Sequence, residues 1–253
     1  MSDTLQAVAR ALAADVQQLS AVGHNVANIN TPGYRGVRVQ PGFDPANFDA
    51  AGAARNGSAP ADATPLGADP LAADRTRIDQ RDGTLMQTAR SLDLALQGEG
   101  FFAVERAGRS LLTRSGAFRV DADGALVNAV GDRVLGESGP ILLGEPGAAA
   151  GLRVDANGEL WSADRRSLGR LELVAAADAA ALRPAGDGAY AYEGERGEWR
   201  GRVVQGALES ANVDAAAETL RLIETTRHAE SVQRAISIYD KAMDAGINRI
   251  GDN

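Results

Sequence analysis

Residues 111–136 read LLTRSGAFRVDADGALVNAVGDRVLG, and this stretch decides the class of fold. Its segment 119–126, RVDADGAL, returns at 153–160 as RVDANGEL. Each copy places Asp-Gly or Asn-Gly between apolar residues, which is a strong short-range signal for a β-hairpin. The repeat therefore predicts antiparallel β structure in the middle of the chain.

The β pattern extends on both sides of this repeat, over residues 76–207. Leucines alternate with other residues over 92–97, LDLALQ, which predicts a half-buried strand. Short apolar runs follow at spacings of about 8–12 residues, which is typical of a β-sandwich or barrel. The further predicted strands are 101–104, 110–113, 117–121, 125–130, 133–135, 140–143, 151–154, 159–161, 169–174, 189–193 and 200–204.

The first thirty residues have a different period, of seven residues. Apolar residues recur in steps of three and four at Leu5, Val8, Leu12, Leu19, Val22, Val26 and Ile29. Only Asp15 interrupts the series. This narrow apolar stripe is typical of a helix that packs in a coiled coil. The predicted helix ends at Asn30-Thr31-Pro32-Gly33, because proline and glycine interrupt helical structure.

The C-terminal forty residues repeat the helical pattern. Their stripe contains Leu222, Thr225, Ala229, Val232, Ile236, Tyr239, Met243, Gly246 and Ile250. Asn212 is the predicted N-cap of this helix. Leu220, Ile223 and Ile238 lie off the stripe. Two interpretations stay open: the terminal helices pair with each other, or they await helices from other copies or partners.

The sequence therefore predicts an α+β chain with three parts. Residues 1–32 and 208–253 form a helical coiled-coil domain, and residues 76–207 form an all-β, sandwich-like or barrel-like domain. Between them, the segment 33–75 is rich in Ala, Gly, Pro and Asp over most of its length. Such a composition cannot offset its ordering entropy by burial, so we expect this segment to be flexible in the free chain.

Composition excludes several classes of function. The chain has 253 residues and a net charge of −8, which argues against general nucleic-acid binding. It has no cysteine, so disulfides, cysteine nucleophiles and thiolate metal sites are excluded. No run of about 18 apolar residues and no secretory signal pattern is present, so we expect no membrane insertion. His24 and His228 are expected on helix surfaces or in a polar part of the seam rather than at a metal.

Two short motifs partly match the sequence patterns of ligand-binding sites. Residues 98–103, GEGFFA, match a loose dinucleotide-binding pattern, but a strand follows where that motif requires a helix. Asp121-Ala122-Asp123-Gly124 resembles part of a calcium loop, but Asp132 stands where a glutamate is needed. We therefore expect no catalytic, cofactor-binding or metal-binding residues and no small-molecule substrate.

The sequence contains NVANINTPGYR at 25–35, GTLMQTARSLDLALQGEGFFAVE at 83–105, the stretch 111–136 quoted above, and GALESANVD at 206–214. In this order, these four stretches resemble the rod and hook proteins of the bacterial flagellar basal body. Within that family, TPGY followed by Arg35 and the run GRLELV at 169–174 are most similar to the proximal rod protein that precedes the distal rod. A distal-rod or hook-type paralogue is the alternative, and a monomeric β-domain binding module is the alternative from another class.

The resemblance implies a structural role and no enzymatic activity. In the family, the terminal helices pair as a coiled coil in the inner shell of a tube, and the β domain forms the outer shell. Subunits are exported through the flagellar type III apparatus without a cleaved signal peptide. They polymerise with copies of themselves and other axial subunits into the periplasmic rod, a helical drive shaft that transmits torque. The segment 33–75 is then expected to become ordered on assembly.

The resemblance and the periodicity together indicate which residues carry this role. The expected assembly seam consists of Leu5, Leu12, Leu19, Val26, Val232, Ile236, Tyr239 and Met243. The residues expected to fix how the chain leaves the first helix are Asn28, Thr31, Pro32, Gly33 and Tyr34. Gly98, Gly100 and Phe102 are expected to shape the first corner of the β domain, and Asn212 the entrance of the second helix.

Overall fold

Two long helices flank a strand-rich region along the chain in the computed structural model, which describes residues 2–40, 75–144 and 151–251. Side chains are described for residues 8–39, 76–144, 151–238 and 241. Helix α1 runs from Ser2 to Ala27, and helix α2 from Ala215 to Gly251. The predicted α+β class is therefore confirmed. Among the described residues, neither helix contains an apolar stretch long enough to cross a bilayer.

The described strands are short, as the spacing of the turn signals predicted. They are β1 Val37–Gln40, β2 Arg75–Ile78, β3 Leu85–Gln87, β4 Leu94–Gln97, β5 Phe101–Arg106, β6 Arg109–Thr113, β7 Arg119–Val120, β8 Leu126–Val127, β9 Arg133–Gly136, β10 Gly139–Pro140, β11 Arg153–Val154, β12 Glu159–Trp161, β13 Ser167–Arg170, β14 Leu173–Ala176, β15 Leu182–Gly186, β16 Ala189–Tyr192, β17 Arg196–Glu198, β18 Arg202–Gln205 and β19 Ala207–Glu209.

Most of the strands belong to one ten-stranded sheet in the order β15-β16-β6-β5-β9-β8-β7, with β10 on β9, β14 on β5 and β17 on β14. A three-stranded sheet contains β11, β12 and β13, and the pairs β1–β2, β18–β4 and β19–β3 complete the described topology. Strand β5 lies at the centre, because it pairs with β6, β9 and β14.

The two predicted hairpins are confirmed, and they have the same register. In the first, Arg119 pairs with Val127; in the second, Arg153 pairs with Trp161. The turn aspartate plays the same part in both, because Oδ1 of Asp121 accepts from the backbone N–H of Ala125 at 2.8 Å and Oδ1 of Asp155 from that of Glu159 at 2.9 Å. The Asp121–Gly124 stretch is thus a hairpin turn.

The structural repeat is longer than the sequence repeat. In each copy a third strand adds to the hairpin in the same register, with Val127 opposite Arg133 and Trp161 opposite Ser167. Residues 119–136 and 153–170 therefore form two equivalent three-stranded units. The sequence does not show this longer repeat, because the third strands pair in the same way but differ in residues, with RVLG at 133–136 and SLGR at 167–170.

The apolar core follows β5, whose two faces pack into different clusters. Phe102 contacts Phe118 edge-to-face with ring centroids 5.2 Å apart, in a cluster with Leu94, Leu126 and Leu160. On the other face, Phe101 meets Tyr190 with centroids 5.9 Å apart. Phe102, predicted to shape the first corner, is therefore a core residue with 1% of its surface exposed.

Some strand predictions are wrong. Residues 92–97 are not a half-buried strand, because Leu94, Ala95 and Leu96 are all buried. Strands β1, β2, β3, β15, β17 and β19 were not predicted. Pro184 lowers the strand signal of β15, which lies at a sheet edge where a missing N–H is tolerated. Strand β17, RGE, has no apolar pattern and forms through pairing with β14.

The chain divides into two compact units. The helical unit contains residues 1–23, 38–76 and 219–253, and the β unit contains 24–37 and 77–218. Residues 33–37, which the sequence assigned to a flexible segment, are instead buried within the β unit. Residues 41–74, to which the rest of that prediction applies, lie outside the described residues.

Candidate functional site: the motif junction

The four motif stretches meet inside the β unit around a buried cluster that we term the motif junction. It consists of Arg35, Asp82, Arg114, Tyr190 and Glu209. The guanidinium of Arg114 is fully buried, and its Nε donates to Oε2 of Glu209 at 2.7 Å. Its Nη2 donates to Oδ1 of Asp82 at 3.1 Å. Arg114 thus binds Glu209 of the stretch 206–214 and Asp82, the residue directly before the stretch 83–105, through charge-assisted hydrogen bonds.

The remaining donors of Arg114 bind the backbone of the glycine-containing motif. Nη1 donates to the carbonyl oxygens of Gly98 and Gly100, both at 2.8 Å, and Nη2 reaches that of Leu96 at 3.3 Å. All five N–H groups of the guanidinium are therefore used. The lack of a side chain at Gly100 leaves room for the indole ring of Trp199, since a Cβ at this position would lie 2.2 Å from Cδ1 of that ring. Gly98 has no such close neighbour, and the corner role predicted for both glycines stays a prediction.

Arg35 brings the end of the first motif into the same cluster. Its guanidinium is 2.8 Å from Oδ1 of Asp82 and 3.1 Å from Oε1 of Glu209. It also donates to the carbonyl oxygens of Gln80 and Arg81. Two arginines and two carboxylates therefore balance in charge. Arg35, Arg114 and Glu209 are buried, whereas the side chain of Asp82 is 52% exposed. Loss of a buried member would leave a buried charge incompletely compensated, which is strongly destabilising.

Glu209 is the shared acceptor of the motif junction. Its side chain is 1% exposed, and Oε1 also accepts the backbone N–H of Gly83 at 2.8 Å. The backbone of Glu209 accepts from the N–H of Gly33 at 2.7 Å. One residue of the C-terminal motif therefore binds both N-terminal motif stretches.

Asn25 connects the last turn of α1 to the same region. Its side chain is 1% exposed, and Oδ1 accepts from the backbone N–H of Val37 at 2.7 Å and from the hydroxyl of Tyr34 at 3.2 Å. Its Nδ2 donates to the carbonyl of Val37 at 2.9 Å and to Oε2 of Glu218 at 3.0 Å. The buried amide thus satisfies all four of its hydrogen-bonding positions.

Two buried tyrosines complete the polar network. Burial raises the pKa of Tyr34, and the nearby Tyr190 and Glu218 raise it further. Burial also raises the pKa of Tyr190 to about 12, although its hydroxyl accepts the backbone N–H of Arg35 at 3.1 Å. Both hydroxyls therefore stay protonated at neutral pH, as the bond from Tyr34 to Asn25 requires. Burial lowers the pKa of Arg114, and the charge of Glu209 opposes this effect.

The TPGY turn is fixed by close backbone contact. Gly33 has φ +69°, and a Cβ there would lie 2.3 Å from the carbonyl carbon of Arg114. Pro32 precedes it, and the backbone N–H of Thr31 donates to the carbonyl of Asn28 at 2.9 Å. The side chain of Asn28 donates in turn to the carbonyl of His24 at 2.9 Å. These residues direct the chain from the end of α1 into the motif junction.

The predicted cap of α2 is wrong. Asp214 caps the helix, because its Oδ1 accepts from the backbone N–H of Ala216 at 2.9 Å. Asn212 instead binds other segments of the β unit: Oδ1 accepts from the N–H of Gly36 at 2.7 Å, and Nδ2 donates to the carbonyl of Arg81 at 2.7 Å. Asp214 is the better cap because it directly precedes the first helical residue.

The predicted seam residues lie on both helices with different exposure. Leu12 and Leu19 on α1 and Val232 and Ile236 on α2 are half-buried. Val26 is 46% exposed, and its neighbour Asn25 is buried instead. The side chains of Leu5, Tyr239 and Met243 lie outside the described residues. Leu220, Ile223 and Ile238 are 58%, 46% and 69% exposed, as expected for residues off the stripe.

The residues of the motif junction were not singled out from the sequence, although most lie in the quoted stretches. Arg114 was the clearest signal, since it is the only charge in LLTRSGAF. Asn25, Arg35 and Glu209 also lie in motif stretches, but periodicity does not mark them. Among the described residues, no cluster of three or more His, Asp or Glu is arranged to hold a metal ion.

Three family descriptions match this chain, and together they cover most of both helices and part of the β unit. Residues 5–35 match the flagella basal body rod protein family, and residues 95–162 match the flagellar hook protein FlgE/F/G D1 domain. Residues 204–250 match the C-terminal part of the flagellar basal body rod FlgEFG proteins. The matched segments contain the motif stretches 25–35, 111–136 and 206–214 and the second half of 83–105.

Comparison of this chain with individual proteins is consistent with these family matches. The chain is 33% identical over 179 residues to the flagellar basal-body rod protein FlgF of Escherichia coli, covering 64% of this chain and 69% of the relative. It is 28% identical over 248 residues to the rod protein FlgG of Agrobacterium fabrum, covering 90% and 92%. Similarity to FlgG of Bacillus subtilis is 26% over 247 residues, covering 91% and 92%. The chain belongs to the flagellar basal-body rod and hook protein family.

Proposed function

We propose that this protein is a structural subunit of the flagellar basal-body rod. The observation that carries the proposal is the set of apolar side chains left exposed on the helices, within a chain of this family. Leu220, Ile223 and Ile238 on α2 and Val16 on α1 are each at least 46% exposed. Apolar side chains that recur along a helix surface mark sites of protein–protein contact. Copies of the chain and other rod subunits are the partners that the family provides.

The motif junction supports a mechanical role rather than a chemical one. Its arginines and carboxylates bind each other and the backbone, so their hydrogen-bonding capacity serves the fold. Together with Asn212, they hold residues 33–36 against residues 209–212, between the end of α1 and the start of α2. A subunit of a drive shaft needs such rigid connections. We therefore assign the chain no enzymatic activity, cofactor or small-molecule substrate.

Within the rod, we assign residues 1–32 and 208–253 to the inner coiled-coil shell and residues 76–207 to a sandwich-like outer domain. The seam residues named above pack the helices of the inner shell together. The subunits form heterologous contacts that generate a helical polymer, which transmits torque. Export by the flagellar type III apparatus, without a cleaved signal peptide, delivers them to the periplasm.

A place in the proximal rod, next to the distal rod, is the subtype that we favour. TPGY with Arg35 and the run GRLELV at 169–174 support it, as does the 33% identity to FlgF. The similarity to FlgG over nearly the whole chain makes a distal-rod paralogue the alternative.

Charged substitutions on the exposed helix face test this function. We expect Ile223→Asp and Ile238→Asp to leave the isolated protein folded, because both side chains are exposed in the single chain. Both should abolish rod assembly and swimming, because a carboxylate at an apolar subunit contact loses its hydration without gaining a partner. The measurements are circular dichroism of the purified protein and swimming in soft agar.

Gln233→Asp is the matched control, since Gln233 is an exposed polar residue of the same helix. We expect this variant to swim normally. Normal swimming of the two isoleucine variants would contradict polymerisation through this face and would favour a monomeric binding module.

A further inference from the structure

Asp15, the residue that interrupts the apolar series of α1, lies in the packed stripe of the helical unit. It is 7% exposed, although an aspartate is rarely buried without a partner. Its Oδ1 and Oδ2 lie 2.8 and 2.9 Å from Nδ1 of His228 on α2. An imidazole Nδ1–H, neutral or protonated, can donate to both carboxylate oxygens. The interruption of the apolar stripe is therefore a specific polar contact between α1 and α2.

A second polar contact links the same helices within the β unit. Nδ2 of Asn25 donates to Oε2 of Glu218 at 3.0 Å, and both residues are buried. Ten residues separate Asp15 from Asn25, and ten separate Glu218 from His228, in the opposite direction along the chain. Ten helical residues span about 15 Å. Both contacts therefore correspond to one antiparallel register of α1 and α2.

An apolar heptad stripe alone does not select that register. Sliding one helix by seven residues again places apolar side chains opposite apolar side chains, so several registers have similar energies. A polar residue at one seam position removes this degeneracy, because it must reach its partner. We propose that Asp15–His228 and Asn25–Glu218 set the register of the terminal helices. Asp15 and His228 are positioning residues in this account.

The alternatives show why two contacts are needed. A slip of one heptad in one direction would place Asp15 opposite Ala235, which offers no side-chain donor. The opposite slip would bring Asp15 to Arg221, a favourable cation. That slip would also place Asn25 opposite Ala211, before α2 begins, and would leave the buried Glu218 without its amide donor. The Asp15–His228 contact thus excludes the first slip, and the Asn25–Glu218 contact excludes the second.

Cysteine cross-linking tests the register directly, because the chain has no native cysteine. Leu12 precedes Asp15 by three residues and Val232 follows His228 by four, so Leu12→Cys with Val232→Cys reports the native register. Leu12→Cys with Thr225→Cys, or with Tyr239→Cys, reports the two slipped registers. Oxidation of the purified full-length chain at high dilution keeps the products intramolecular, which their mobility on a non-reducing gel verifies.

In the otherwise native chain, we expect cross-linking of the native pair to dominate. Asp15→Leu should retain the helix content and raise the yield of the Leu12–Tyr239 product, which reports the slip that Asp15 blocks, about tenfold, the factor given by about 1.4 kcal/mol of lost discrimination. The exchange Asp15→His with His228→Asp should restore the native product alone, which a merely structural loss would not do. An Asp15→Leu chain that gives only the native product, or an exchange that gives slipped products, would overturn the proposal.

The register within one chain does not depend on the proposed function, since the cross-links form in solution. The expected effect of the register on rod assembly does rest on the proposed function. If the chain is a rod subunit, Asp15→Leu should also reduce swimming, because slipped subunits present the exposed isoleucines at the wrong positions. Altered register with normal swimming would count against the rod function while leaving the register proposal intact.

Discussion

Replacing Arg114 with alanine is expected to lower the free energy of unfolding of the β unit by about 3–5 kcal/mol, the range for breaking a buried ion pair. The variant leaves the carboxylate of Glu209 buried beside only one guanidinium. It also removes the donors to the carbonyl oxygens of Gly98 and Gly100. Urea unfolding followed by tryptophan fluorescence measures the effect, because both tryptophans, Trp161 and Trp199, lie in the β unit.

Arg133→Ala is the matched control for that variant. Arg133 is an arginine of the same unit, but its side chain is 50% exposed and 3.7 Å from Asp123. Exposed pairs contribute about 0–1 kcal/mol, so its loss should be small. Arg114→Lys should fall between the two, because it keeps the charge with only three donors. Equal stability of the two alanine variants would contradict the central place of Arg114.

Gly33→Ala is expected to destabilise the β unit by about 2–5 kcal/mol. The left-handed conformation at φ +69° costs a residue with a Cβ about 1–2 kcal/mol. The new methyl group would also lie 2.3 Å from the backbone of Arg114, and relief of such overpacking costs about 1–3 kcal/mol more. The same urea titration measures the sum of the two costs. Hydrogen exchange at the backbone N–H of residue 33 is compared between the native chain and the variant. Faster exchange in the variant would show that this N–H no longer binds the carbonyl of Glu209.

Gly108→Ala separates the two costs. Gly108 has a similar φ of +75°, but no atom lies within 4 Å of the position that a Cβ would take there. Only the conformational cost applies at this glycine, about 1–2 kcal/mol. The difference between the two variants therefore measures the close approach of the TPGY turn to Arg114. If the two glycines cost the same to replace, that approach contributes nothing to stability.

The sequence predicts most of the local structure here because local patterns determine it. The hairpin signals at 121–124 and 155–158 depend on residues within one turn, and the structure has both hairpins in the same register. The helices follow from heptad spacing, although the first of them ends at Ala27, three residues before the predicted end at 30–33. Strand β17 could not be predicted, because RGE becomes a strand only through its pairing with β14.

The motif junction could not be predicted from local patterns, because its contacts are remote in sequence. Arg114 and Glu209 are 95 residues apart, and Asn25 and Glu218 are 193 residues apart. Neither periodicity nor turn chemistry carries information over such distances. A charged residue within an apolar stretch, such as Arg114, signals burial with a partner but does not identify the partner. Asn212 illustrates the same limit, since a residue typical of a cap binds remote backbone groups instead.

The reason why certain motif positions require glycine is visible only in the structure. Gly33 and Gly100 lie in family motifs, and the sequence assigned them to turns. The atoms that exclude a side chain there belong to Arg114 and Trp199, which are about 80 and 100 residues away along the chain. Turn propensity thus predicted their location correctly, while tertiary contact explains why these positions need glycine.

The central claim, that this chain is a structural subunit of the flagellar rod, is tested most directly by quantitative mass spectrometry of purified basal bodies. The preparations come from the parent strain and from a strain that lacks the gene. The account predicts that the chain is present in the parent basal bodies in a fixed number of copies, and that its deletion leaves a truncated rod. Absence of the chain from the parent basal bodies, with intact rods in the deletion strain, would contradict it.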